Sequence, residues 1–140
     1  VLGLDISKKA ILNLNKTIKD NNITNLNTVC TNIECFELEK NKYDLVIDIA
    51  SLQHAENLHL ENIFLRIKLA LKSNGCFYSW CLSASENLND NSFEHSIITK
   101  NILKKYFDEG FKISFDNYKY TQNNGKNYIS FLIFSAERVK

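Results

Sequence analysis

The spacing of apolar positions changes several times along the chain, and each change marks an element. Val1-Leu2-Gly3-Leu4 is a short apolar run that reads as a strand ending at Asp5. Ser7 follows as a helix-capping residue, and Ile11, Leu14 and Ile18 then recur at helical spacing among Lys, Asn and Thr until Asn21-Asn22, which suit a helix stop. A second short strand is expected over Leu26–Thr31. After the polar segment Glu34–Lys42, Tyr43–Ile49 is nearly continuously apolar, the pattern of a central strand buried on both faces. From Glu56 to Lys72 the residues Leu60, Ile63, Phe64, Ile67 and Leu71 share one helical face, and Ser73-Asn74-Gly75 tolerates the left-handed backbone that ends a helix. Cys76–Leu82 reads as a fourth strand.

A loop rich in Ser, Asn and Asp, Ser83–Ser92, is a candidate lid. Beyond it Thr99 suits the cap of a helix that Gly110 ends, with Ile102, Leu103, Tyr106 and Phe107 on its apolar side. Phe111, Ile113 and Phe115 alternate with Lys112, Ser114 and Asp116, which predicts a half-exposed strand. Ile129–Phe134 is more uniformly apolar and should lie deeper. Asn124-Gly125 between them is the dipeptide best suited to a hairpin, since both residues accept positive φ. Strand and helix alternate, then, before a closing antiparallel hairpin: an α/β chain with a mostly parallel sheet.

Asp5 stands where a strand turns into a helix, and open α/β sheets bind ligands in the crevice outside the carboxyl ends of their strands. A carboxylate accepts both hydroxyls of a vicinal diol, so an acid here suits a ribose. The alternative is a plain cap of the following helix.

With 140 residues the chain is one domain or part of one. Position 1 already lies inside a strand, so the sequence reads as a piece of a longer chain. No apolar stretch approaches the length that crosses a bilayer. The net charge is +1 with lysines scattered throughout, which does not favour nucleic acid as a partner. Cys30, Cys35, Cys76 and Cys81 lack the spacing of common zinc sites and are expected to be buried free thiols, in keeping with a reducing cytoplasm.

Three segments carry a resemblance. VLGLDIS, YDLVIDIASLQHA and LALKSNGCF resemble, in order and spacing, the second strand, the fourth strand with its following loop, and the fifth strand of the class I S-adenosylmethionine-dependent methyltransferases. That family's sheet ends in a reversed strand inserted beside its neighbour, as the closing hairpin here implies. The likeness spans nearly all of residues 1–140 as a partial domain, with Ser73 and Asn74 standing where the family usually has Pro and Gly. The family's first strand and glycine-rich loop have no counterpart in the sequence and are expected upstream of Val1, the strand lying between those that begin at Val1 and Tyr43. The piece alone is expected to be inactive.

The resemblance implies S-adenosylmethionine as cofactor, with Asp5 accepting the ribose hydroxyls and Ile6 packing on the adenine. Asn32 would accept from the adenine amino group, Ile33 would offer its backbone N–H to the ring, and Ile49 with Ala50 would line the reactive end. Asn32 reads equally as a turn residue, and Ile6 and Ile49 as core. His54 follows the strand nearest the reacting methyl and is the candidate base, with Gln53 to orient an acceptor. His59 is expected on a helix surface and His95 near the candidate lid. Asp48 alone cannot complete the octahedral shell of Mg²⁺, so no metal is expected. Trp80 reads as core.

The chain contains no Pro, so it lacks the Asn/Asp-Pro-Pro-aromatic motif of enzymes that methylate amino groups of nucleic acids. A small-molecule acceptor is the leading expectation. The alternatives are transfer to a protein or RNA, a catalytically silent scaffold domain, or a nicotinamide-dependent dehydrogenase, against which stand the closing hairpin and the absence of a Tyr-x-x-x-Lys pair. Oligomeric state is left open by the sequence.

Overall fold

The computed structural model describes residues 1–82, 98–121 and 128–139. They fall into two compact units, Val1–Glu37 and Leu38–Lys140. The candidate lid, His95 and the Asn124-Gly125 turn lie outside the described residues.

The first unit is a strand-helix-strand crossover. Strand β1 (Leu2–Asp5) runs into helix α1 (Lys8–Asp20) and returns as β2 (Asn27–Cys30), parallel to β1 with Leu2 opposite Asn27 and Asp5 opposite Cys30. The helix begins where the sequence signals it, because the Ser7 hydroxyl accepts the Ala10 N–H at 3.2 Å and satisfies one of the orphan donors of the first turn. It ends at Asn21, whose side-chain amide donates to the Thr17 carbonyl at 2.8 Å, and Asn22 turns left-handed at φ 52°. Ile11 is the buried hydrophobic residue of the α1 stripe.

The second unit opens with β3 (Tyr43–Ile49), a 3-10 turn at Leu52–His54 and α2 (Asn57–Ala70), followed by β4 (Leu71–Leu82), α3 (Lys100–Phe107), β5 (Phe111–Thr121) and β6 (Tyr128–Arg138). Its four-stranded sheet has the order β3-β4-β6-β5. Strands β3 and β4 are parallel, whereas β6 is antiparallel to both neighbours and is inserted between β4 and β5. The last strand is therefore the deeper one, with Leu132, Phe134 and Ala136 buried. The core is aromatic: Phe107 of α3 lies with ring centroids 5.6, 5.4 and 5.4 Å from Phe64 of α2, Phe77 of β4 and Phe134 of β6. Such offset and edge-on pairs add to the burial of the rings. The Thr99 hydroxyl caps α3 through the Ile102 N–H at 3.2 Å, and Gly110 is left-handed at φ 78°.

Three expectations are corrected. Helix α2 stops at Ala70 and does not reach Lys72, because Leu71 is already extended and pairs with Tyr43. Lys72–Gly75 then bulge out before pairing resumes at Leu45 and Cys76, with Asn74 left-handed at φ 63°. Strand β3 is not central among the described strands: it lies at the edge of the four-stranded sheet, and Leu45, Ile47 and Ile49 are 52, 57 and 65 % exposed. The cysteines are free, but only Cys81 is buried. Cys30 closes the short β2 and Cys35 follows it in a turn, where both are exposed, and Cys76 is half-buried. Among the described residues no helix is long and apolar enough to cross a membrane.

Candidate functional site

The carboxyl ends of β1 and β2 bring four of the expected site residues together in the first unit. The Asp5 carbonyl accepts the Thr31 N–H at 3.0 Å, which extends the β1-β2 ladder by one bond and sets Asp5 and Ile6 beside Thr31 and Asn32. Cys30 reinforces this junction, its thiol lying 3.6 Å from the Ile6 carbonyl. The Asp5 carboxylate is exposed and uses Oδ1 to accept the Ser7 N–H at 2.7 Å. The cap reading of this acid is thus seen directly: one oxygen caps the entry to α1, on a side chain that is exposed to solvent. Ile6 is 71 % exposed. It is therefore not core, and a large apolar side chain left in water beside a carboxylate is a surface on which a flat ring gains by packing.

Asn32 is a turn residue here. Its Oδ1 accepts the Glu34 N–H at 3.0 Å and its Nδ2 donates to Glu34 Oε2 at 3.2 Å, while the Ile33 carbonyl accepts from Phe36. An amide oxygen has two lone pairs, so the turn leaves Asn32 one further acceptor direction.

The remaining candidates belong to the second unit. Ile49 ends β3 with its side chain exposed, and Ala50 is left-handed at φ 57° while its N–H still donates to the Trp80 carbonyl of β4 at 2.8 Å. A left-handed alanine is uncommon, and it swings the chain out of the sheet into the 3-10 turn. On that turn Leu52 and Gln53 are buried and His54 is exposed, with Gln53 Nε2 and His54 Nε2 3.5 Å apart. His59 on α2 is half-buried. Trp80 is half-buried too and meets the Phe131 ring edge-on at 5.5 Å.

Asp48 turns out to be the best-connected acid of this region. It is 6 % exposed. Its Oδ1 accepts the N–H groups of Ser51 and Leu52 at 3.0 and 3.1 Å, and its Oδ2 accepts the Ser79 hydroxyl of β4 at 2.7 Å. Burial pushes its carboxyl above the ordinary carboxylate range, against the opposing pull of Ser79, the two backbone donors and His54. The sequence signalled it only as a lone acid within an apolar strand. Its main side-chain partner is 31 positions away, so no local pattern could reveal the pairing.

Among the described residues no group of three or more His, Cys, Asp or Glu is placed to hold a metal ion. A shallow cavity of about 290 Å³ lined by Asn74, Cys76, Lys112, Ser114, Ser135 and Glu137 includes none of the candidate residues. Ile113 completes that lining, with the acid Glu137 standing one residue before the end of β6.

A family model described as a methyltransferase domain matches residues 1–75. No curated protein matches. Among solved structures, TehB from Haemophilus influenzae aligns with a TM-score of 0.81 at 19 % identity, over 100 % of this chain and 50 % of that one. Phospholethanolamine N-methyltransferase 2 from Haemonchus contortus, in complex with phosphomonomethylethanolamine and S-adenosylhomocysteine, aligns with a TM-score of 0.81 at 17 % identity, over 100 % of this chain and 43 % of that one. The N-methyltransferase NodS from Bradyrhizobium japonicum, in complex with S-adenosylhomocysteine, gives 0.73 at 11 % identity, over 99 % and 66 %. The chain spans half the length of TehB and less than half that of the Haemonchus enzyme. At these identities the structures speak for the fold, a mixed α/β sheet closed by an inserted antiparallel strand, and the sequence match over residues 1–75 speaks for descent: the chain belongs to the methyltransferase domain family.

Proposed function

We propose that this chain is the greater part of an S-adenosylmethionine-dependent methyltransferase domain acting on a small molecule. The observation that carries the reading is the pair at the end of β1, an exposed carboxylate next to an exposed isoleucine, in a chain of this family. The pair fits an adenosine, Asp5 receiving the ribose diol and Ile6 one face of the base, with the Asn32 amide oxygen and the Ile33 N–H at the adenine edge. Ile49 and Ala50 line the reactive end. Bound S-adenosylmethionine supplies an electrophilic methyl group, so the protein need only align an acceptor with it and exclude water. Gln53 orients the acceptor and His54 takes its proton where the acceptor is a hydroxyl or an ammonium. The small substrate in the Haemonchus complex supports a small acceptor here. Four free thiols support a cytoplasmic setting.

The edge position of β3 in its sheet and the exposed Leu45, Ile47 and Ile49 leave an apolar surface of the kind that a further strand and loop would cover.

Calorimetric titration of the complete protein with S-adenosylmethionine tests the reading. Asp5→Ala should weaken binding by about 1.5–3 kcal/mol, the loss of hydrogen bonds to a charged partner, or roughly 10- to 150-fold in Kd. Asp5→Asn keeps an acceptor for the Ser7 N–H and should still bind weakly. Unchanged affinity in both variants would remove Asp5 from the site.

A further inference from the structure

We infer that Asp48 is a positioning residue that holds the turn carrying Gln53 and His54, an inference that rests on the methyl-transfer reading only for the purpose the turn serves. Apolar residues would fill this buried strand position without desolvation cost, whereas an acid held at 6 % exposure must be compensated by hydrogen bonds. The bonds it makes all converge on one task. Ser79, directly opposite Asp48 in the β3-β4 register, fixes Oδ2 at 2.7 Å. Oδ1 then takes the first two free N–H groups of the turn, those of Ser51 and Leu52. Between them the left-handed Ala50 is tied to the Trp80 carbonyl.

The chain leaving β3 is thus fastened to β4 at two points, once through backbone and once through a buried carboxylate. These points set where residues 51–54 go. Leu52 and Gln53 are pressed inward at 2 and 5 % exposure and His54 is left facing outward beside the Gln53 amide. Asp48 touches neither His54 nor the outer surface by any of these bonds, so it acts through the turn and is not itself the base.

The test compares Asp48→Ala with Asp48→Asn in the complete protein, because the Asn amide oxygen still accepts the two backbone N–H groups. Ring resonances of His54 and His59 are followed by NMR at a pH of about 8.5, where an ordinary imidazole is neutral. Asp48→Ala is expected to displace and broaden the His54 signals and leave those of His59 in place, and Asp48→Asn to restore the wild-type His54 signals. His54 signals unmoved in Asp48→Ala, or equally displaced in both variants, overturn the assignment. Should Asp48→Ala fail to fold, Ser79→Ala releases only Oδ2 and should move the same signals, and their constancy would overturn it equally. Titration of the wild-type protein with S-adenosylmethionine reads the methyl-transfer proposal separately, so the two ideas can fail independently.

Discussion

Gly75 offers a test of the packing between the end of α2 and the start of β3. A Cβ built on it would lie 2.9 Å from the Lys72 carbonyl oxygen, 3.0 Å from the Tyr43 carbonyl oxygen and 3.1 Å from the Lys72 nitrogen. All three are backbone atoms of the bulge and the facing strand, so no side chain can rotate away to make room. Gly75→Ala must instead push β3 and β4 apart where pairing resumes after Tyr43-Leu71. Overpacking of this kind costs about 1–3 kcal/mol, and the stiffer unfolded chain gives back at most about 1 kcal/mol. From the middle of the overpacking range, about 2 kcal/mol, the net loss should be about 1–2 kcal/mol, or roughly 3–7 °C in Tm. Gly110→Ala is the control, since its Cβ meets nothing within 4 Å and the cost there comes only from φ 78°, about 1 kcal/mol. Urea unfolding followed through the fluorescence of the single tryptophan, Trp80, measures both. Wild-type stability for Gly75→Ala would show that the bulge yields freely, refuting the close approach.

Two further outcomes follow from the buried groups. The Asp48 carboxyl binds its proton more readily folded than unfolded, so between the ordinary 3.8 and its raised value the native state holds more protons, and stability falls as pH rises through that window. The groups that act on it are Ser79 of β4 through its hydroxyl, and His54 of the turn and Cys81 of β4 through charge. Urea midpoints measured against pH should show this slope in the wild type and lack it in Asp48→Asn, and parallel curves would contradict it. Burial pushes the Cys81 thiol up to about 11, so a disulfide reagent at neutral pH should label the exposed Cys30 and Cys35 quickly and reach Cys81 only on unfolding. Rapid labelling of Cys81 in the native protein would be inconsistent with its burial.

Several features of this protein were legible in the residues alone because they depend on neighbours a few positions apart. Ser7 and Thr99 cap the helices they precede, the alternation over Phe111–Asp116 marks a half-exposed strand, and the uniform apolar run near the end marks a strand with neighbours on both sides. The Asp5-Ile6 junction belongs with these, since a strand running into a capped helix is a local pattern. What the tertiary structure alone decided involves partners far apart in sequence. Leu71 left α2 because it pairs with Tyr43, 28 residues earlier by number, and Gly75 matters because two backbones meet there. The exposure of Leu45, Ile47 and Ile49 depends on what covers a face, which an apolar run does not specify. Asp48 shows the difference most sharply: periodicity marks it only as an acid out of place, and it becomes the anchor of a turn once the sheet sets Ser79 opposite it. Local pattern reports the cost of burying a charge, and only the fold supplies the hydrogen bonds that offset that cost.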